Sequence, residues 1–235
     1  MIKQIVAAGL ATLAITANAA PIAFFNSTFD TSALAIAEGT LDGPYIKTSP
    51  PDLVPLASDA VAVGTTDLAI ADAFADSGFL STSASATAFT SFGNGVASSH
   101  FSGSFTNIGT LNLTIGFDSI GSASGSGVAD GTLFVKLTSG GTNLINKLLT
   151  ASDTLRFHSD SLPYGSSTIL DLLLVSNVSA DGTLGGVNDA FNLGLATFSG
   201  TVPLPATWLL MVAGIGALGA ARMRARQPGK CCQEA

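Results

Sequence analysis

From Leu111 to Phe117 the chain reads Leu-Asn-Leu-Thr-Ile-Gly-Phe, with an apolar residue at every second position. That period of two places Leu111, Leu113, Ile115 and Phe117 on one face of an extended strand. Similar short runs occur at 84–92, 100–105, 133–137, 154–158 and 191–198. Residues 169–175 are almost continuously apolar, which predicts a central strand covered on both faces and leaves Asp171 in need of a partner. Gly93-Asn94-Gly95, Asp130-Gly131, Gly140-Gly141 and Asp181-Gly182 supply turn chemistry around these runs. Short strands at this spacing predict a mainly β fold, a single antiparallel β-sandwich of jelly-roll-like form. Within it, residues 143–149 predict one short helix, with Leu144, Ile145, Leu148 and Leu149 as its apolar stripe. Residues 48–55 carry three prolines and predict an extended loop, and the Gly/Ser run at 122–127 predicts another.

Composition supports that reading. Of 235 residues, 47% are hydrophobic and only 11% charged, with 26 glycines. A sequence so poor in Glu, Lys and Arg lacks the material of long surface helices. Between Ala20 and Pro205 there are fifteen acidic side chains against Lys47, Lys136, Lys147 and Arg156. Nucleic-acid binding is excluded on that balance, because neutralising phosphates needs clustered Lys and Arg. The two cysteines, Cys231 and Cys232, both lie near the C-terminus, so the central domain has no disulfide framework and no thiolate metal site.

The two ends read as addresses. Lys3 begins a positive n-region, residues 5–15 are apolar, and Ala17-Asn18-Ala19 is an A-x-A cleavage site that would leave Ala20 as the mature N-terminus. This predicts a signal peptide at 1–19, removed by signal peptidase. At the other end, Val202 to Ala221 holds no charged side chain. Pro203 and Pro205 push the start of a helix to Ala206, which leaves about 24 Å of transmembrane helix, short for a comfortable span. Arg222, Arg224 and Arg226 follow directly and predict a cytoplasmic side, with 227–235 as a cytoplasmic tail.

Val202-Pro203-Leu204-Pro205-Ala206, an apolar helix and an arginine cluster together resemble the PEP-CTERM sorting signal in its VPLPA variant, over residues 202–226. Leu204 stands where the commoner motif of that family has Glu. The resemblance implies that an exosortase, a membrane-embedded transpeptidase, recognises and processes the tail. It also implies export in a Gram-negative bacterium, through an inner-membrane intermediate to the cell surface or extracellular matrix, in association with exopolysaccharide and biofilm. It covers the tail alone and leaves the exported domain, 20–201, to be read from its own residues.

In that domain no G-x-S-x-G or H-E-x-x-H motif occurs. His100 and His158, with Ser98, Ser99, Ser102 and Ser159 beside them, are the available acid–base groups, and they read better as strand-surface residues than as a catalytic set. Asp59, Asp67, Asp72 and Asp76 raise the question of calcium, but they spread over 18 positions without an EF-hand pattern. Asp118, Asp130, Asp181 and Asp189 read as turn formers. Tyr45 and Tyr164, each next to a proline, are the aromatic side chains that could stack on a sugar. The expectation is a non-enzymatic surface or matrix protein that needs no cofactor or metal. A carbohydrate-binding or polysaccharide-acting protein on the same scaffold, and an unprocessed single-pass membrane protein, are the alternatives.

Overall fold

The computed structural model describes residues 20–37, 45–52, 56–63, 67–107, 109–183 and 187–202. Those residues contain strands and connections and no helix. In chain order the strands are β1 (Ala20–Pro21), β2 (Phe25–Ala37), β3 (Tyr45–Asp52), β4 (Leu56–Val63), β5 (Leu68–Asp76), β6 (Phe79–Ala88), β7 (Phe92–Thr106), β8 (Leu111–Ala123), β9 (Val128–Ser139), β10 (Thr142–Leu149), β11 (Asp153–Ser159), β12 (Ser167–Asp181) and β13 (Asn188–Val202). Residues Pro21–Thr201 form one compact unit.

The strands make two sheets. One runs β11-β8-β13-β6-β5-β4, with β1 paired to β13; the other runs β10-β9-β12-β7-β2-β3. Neighbours within these orders are antiparallel. Pairings are nested: β9 with β12 lies inside β8 with β13, and β7 with β12 lies inside β6 with β13. The period of two sets which side of each sheet is covered. Along β7, burial alternates without a break from Gly93 to Phe105, so Phe101 and Phe105 face inward while Ser98, His100 and Ser102 face outward.

The interior divides along the strands. At one end Phe29, Phe101, Phe105, Leu111, Leu113, Ile115, Leu133, Leu170, Leu172 and Phe198 form a core of large side chains. Phe24 meets Phe101, Phe105 and Phe198 edge-on, at centroid distances of 5.3, 5.7 and 6.1 Å. Toward the other end the same strands switch to alanine: Ala33, Ala35, Ala37, Ala60, Ala62, Ala69, Ala71, Ala73 and Ala97 form a second cluster. Ala84, Ala86, Ala88, Ala180 and Ala190 with Val178 form a third. With only methyl groups between them, the sheets there come together closely. A Cβ on Gly95 would sit 2.9 Å from the Ile70 carbonyl oxygen and 3.1 Å from that of Ser85, both on the facing sheet. Glycine is the residue that permits that approach.

A belt of hydroxyl and amide side chains marks the switch. Thr31 and Ser58 share a hydrogen bond of 2.8 Å between sheets, and Ser99 donates to the Ser81 carbonyl at 2.7 Å. Thr82 and Ser176 are 2.7 Å apart, Ser176 donates to Asn192 Oδ1 at 2.7 Å, and Asn192 Nδ2 donates to Ser119 at 3.1 Å. Thr31, Ser58, Thr82, Ser99, Ser176 and Asn192 are all buried. They can be, because each polar group finds a partner across or within the sheets.

Several sequence expectations change. Residues 143–149 are not a helix: they belong to β10, which pairs with β9 around a bulge between Asn143 and Ile145. That extra residue breaks the alternation and creates a false helical stripe. Residues 48–52 of the proline-rich stretch belong to β3, an edge strand. The register shift between Phe29 and Thr31 leaves Pro50 and Pro51 without a paired residue on β2, so their missing N–H groups interrupt no regular step of the ladder. Gly93-Asn94-Gly95 and Asp130-Gly131 lie inside β7 and β9 rather than at turns. Gly140-Gly141 does form the β9–β10 turn, with φ of 55° and 81°. Strand β12 is central, yet its outer face is open: Ile169 and Leu173 are exposed while Leu170, Leu172 and Leu174 are buried.

Candidate functional site

The signals that carried the sequence reading fall at the margins of the structure. Ala20 begins β1 and Val202 ends β13, while Ala17, Ala19, Pro203, Leu204, Pro205, Ala206, Arg222, Arg224 and Arg226 lie outside the described residues. So do the predicted signal and transmembrane helices. Among the described residues no helix is long and apolar enough to cross a membrane.

Within the sandwich, one group of chemically active side chains lies on the outer face of the six-stranded sheet. Four central strands build it by register. Asp30 on β2 stands opposite His100 on β7, His100 opposite Leu173 on β12, and Leu173 opposite Phe134 on β9. One pleat along, Ser102 stands opposite Asp171, and Asp171 opposite Lys136. The result is a shallow trough of about 510 Å³ lined by Asp30, Ser98, His100, Phe134, Lys136, Asp171 and Leu173. Antiparallel partners sit about 5 Å apart at Cα, so the backbone alone fixes where these groups stand.

Its hydrogen bonding is partial. Ser102 Oγ donates to Asp171 Oδ1 at 2.5 Å, which supplies the partner that Asp171 required. Neither Asp30 with His100 nor Asp171 with Lys136 closes to an ion pair, so among the described residues the charged groups line the trough without cancelling one another. Opposite charges held apart around a concave apolar floor can bind a ligand that both donates and accepts hydrogen bonds.

The histidines and serines do not come together as a nucleophilic set. Ser102 is committed to Asp171, and Ser99 points to the other side of the sheet, toward Ser81. His158 lies on β11, an edge strand of the other sheet, between Asn112 Oδ1 at 2.6 Å and Asp160 Oδ1 at 3.0 Å. His100 does share the trough with Ser98, Asp30 and Asp171, but among the described residues no hydrogen bond links it to any of them, and Ser98 pairs with Ser32 Oγ at 3.0 Å.

The acidic residues are also dispersed. Asp67 is buried at the start of β5 and accepts from the Phe89 N–H at 2.9 Å and from the Ser91 hydroxyl, holding the β6–β7 connection. Asp76 ends the same strand and accepts from the Ser77 N–H at 2.6 Å. Nine residues of strand separate them by about 30 Å. Asp59 and Asp72 are directly opposed on β4 and β5. Partial burial and the facing Asp59 charge raise the Asp72 carboxyl above the usual carboxylate range. No group of three or more metal-ligating side chains occurs among the described residues. Of the four aspartates read as turn formers, Asp181 acts as one, accepting from the Thr183 N–H and hydroxyl at 2.9 and 2.6 Å. Those bonds lower its carboxyl below the ordinary range. Asp118, Asp130 and Asp189 lie within strands instead.

Sequence reasoning had singled out Ser98, His100, Ser102 and Asp171 for separate reasons. Asp30, Phe134, Lys136 and Leu173 escaped it, because nothing in the chain states which strands are neighbours. The one available signal was alternation, which put Phe134 and Lys136 on the same face of their strand.

No protein-family model and no curated protein matches the chain. Among solved structures it is similar to that of infectious bursal disease virus Gx strain, with 11% identity and a TM-score of 0.18 over 81% of this chain and 66% of that one. The infectious bursal disease virus VP2 subviral particle gives 12% identity and a TM-score of 0.13, over 82% of this chain and 68% of that one. Likenesses this weak carry no functional information.

Proposed function

We propose that this chain is an exported, non-enzymatic structural protein of a bacterial cell surface or extracellular matrix, delivered by an exosortase-type transpeptidase. The observation that carries the reading is the tail: Val202-Pro203-Leu204-Pro205-Ala206, an uncharged and largely apolar run to Ala221, and Arg222, Arg224 and Arg226. The Ala17-Asn18-Ala19 cleavage site at the other end agrees with it. A cysteine-free sandwich of two antiparallel sheets suits a domain that must fold after export without a disulfide framework. The apolar run is a temporary address, read with the membrane as an intermediate station, and exopolysaccharide is the matrix component the protein would meet.

Intact-mass measurement of the native protein, with and without the host's exosortase, tests this. The expected result is a mature species that lacks Arg222 to Ala235 in the parent strain and retains it in the deletion strain. Retention in both would make the chain a single-pass membrane protein. Hydrolysis of a polysaccharide by the purified protein would remove the non-enzymatic reading.

A further inference from the structure

We propose that the trough on the outer face of the six-stranded sheet binds a neutral oligosaccharide, laid across β7, β12 and β9. The assignment deepens the matrix reading above and rests on it for its setting, but its chemistry comes from the trough. Asp30 and Asp171 place two carboxylates on the rim, which oppose an anionic chain. Lys136, directly opposite Asp171, opposes a cationic one. An apolar partner would strip water from all of these charges without replacing their hydrogen bonds. Sugar hydroxyls satisfy both kinds of group, since each donates to a carboxylate and accepts from an ammonium.

The floor fits the same ligand. Phe134 and Leu173 stand side by side in register and turn apolar surface outward, where the C–H face of a pyranose can lie. Exposed Leu148 on β10 extends that row beyond Phe134. From Asp30 to Leu148 the row crosses five strands, or about 19 Å, room for an oligosaccharide rather than a single sugar. The strands hold every one of these positions before a ligand arrives, so little ordering cost falls on binding. The solvent-exposed loop residue Tyr164 lies outside this row, which makes it a useful control.

Titration of the full chain, in a phosphocholine detergent, with cellohexaose, laminarihexaose and mannohexaose tests the assignment. A galacturonate hexamer and a chitosan hexamer serve as charged comparators. At least one neutral hexamer should bind saturably, more tightly than either charged chain. Phe134→Ala and Asp171→Asn should each weaken it roughly tenfold, while Tyr164→Ala leaves it unchanged, with all three variants folded by circular dichroism. No saturable binding of any neutral hexamer overturns the proposal. So does preference for a charged chain, or loss of binding in Tyr164→Ala with Phe134→Ala unaffected. None of these outcomes depends on the tail's mass, so failure here and failure of the sorting reading are separately visible.

Discussion

The two halves of the sandwich solve the same packing problem with different materials. Around Phe101 the sheets are held apart by Phe, Leu and Ile, and each such side chain contributes about 1.5–3 kcal/mol on burial. Around Ala35, Ala71 and Ala97 each side chain contributes one methyl group, worth about 0.8 kcal/mol. The alanine half therefore draws its cohesion from close approach of the backbones. The polar belt from Thr31 and Ser58 to Ser176 and Asn192 lies where the sheet spacing must change. Thickness in this sandwich is thus a property of position along the strands, and errors of volume should have opposite signs in the two halves.

The largest effect is expected from removing volume where the core is thick. Phe101 is fully buried and its ring lies 4.6 Å from that of Phe198 and 5.3 Å from that of Phe24. Phe101→Ala should lower unfolding free energy by about 3–5 kcal/mol in urea denaturation. The matching change in the thin half adds volume. Gly95→Ala places a methyl group against two backbone oxygens that cannot rotate away, and should cost about 1–3 kcal/mol. If Gly95→Ala were neutral, the close approach of the sheets would be wrong.

The belt between the halves gives the third comparison. Ser176 serves both Thr82 and Asn192, two buried groups on the facing sheet. Ser176→Ala leaves them with one partner fewer each, and about 1–3 kcal/mol should be lost by the same denaturation measurement. A double-mutant cycle of Ser176→Ala with Thr82→Ala should be non-additive, because the two hydroxyls share one bond.

Much of this architecture is legible in the sequence, and the boundary of legibility is physical. Alternation located Leu111–Phe117, residues 133–137 and residues 191–198 in strands, because a half-buried strand writes its period directly into the chain. Alternating alanine with serine, as in Ser81 to Ala88, carries the same period with a contrast too small to identify the thin half or the belt. Gly93-Asn94-Gly95 imitates a turn because the same residue type that bends a chain also lets two sheets touch. The trough was partly visible: Asp171 stood out as a charge in an apolar run, and His100 as one of two histidines. Its assembly was not, since Asp30, His100, Phe134 and Lys136 are brought together by way of Leu173 and Asp171, through pairings that range from Asp171 with Lys136, 35 positions apart in the chain, to His100 with Leu173, 73 apart.

The smallest effect sharpens the comparison from outside the core. Asp59 and Asp72 face one another across β4 and β5, on the outer surface of the alanine half, with β4 the last strand of its sheet. Like charges directly opposed weaken a strand pair by a few tenths of a kcal/mol. The folded state raises the Asp72 carboxyl, first by partial burial and then through Asp59. It therefore binds a proton more readily folded than unfolded, and its contribution to stability falls as pH rises from the ordinary carboxylate range through the raised value. Asp181 has the opposite sign: its lowered carboxyl stabilises the fold above the ordinary range, and that contribution is lost on acidification. Asp72→Asn should thus raise the melting temperature slightly at pH 7 and make no difference near pH 3, where the wild-type carboxyl is already protonated. The same substitution should slow amide exchange along β4 more than along β11, the edge strand beside the thick half. Equal slowing at both edges would mean that the repulsion acts on the whole sandwich, and that its thin half is no weaker than its thick one.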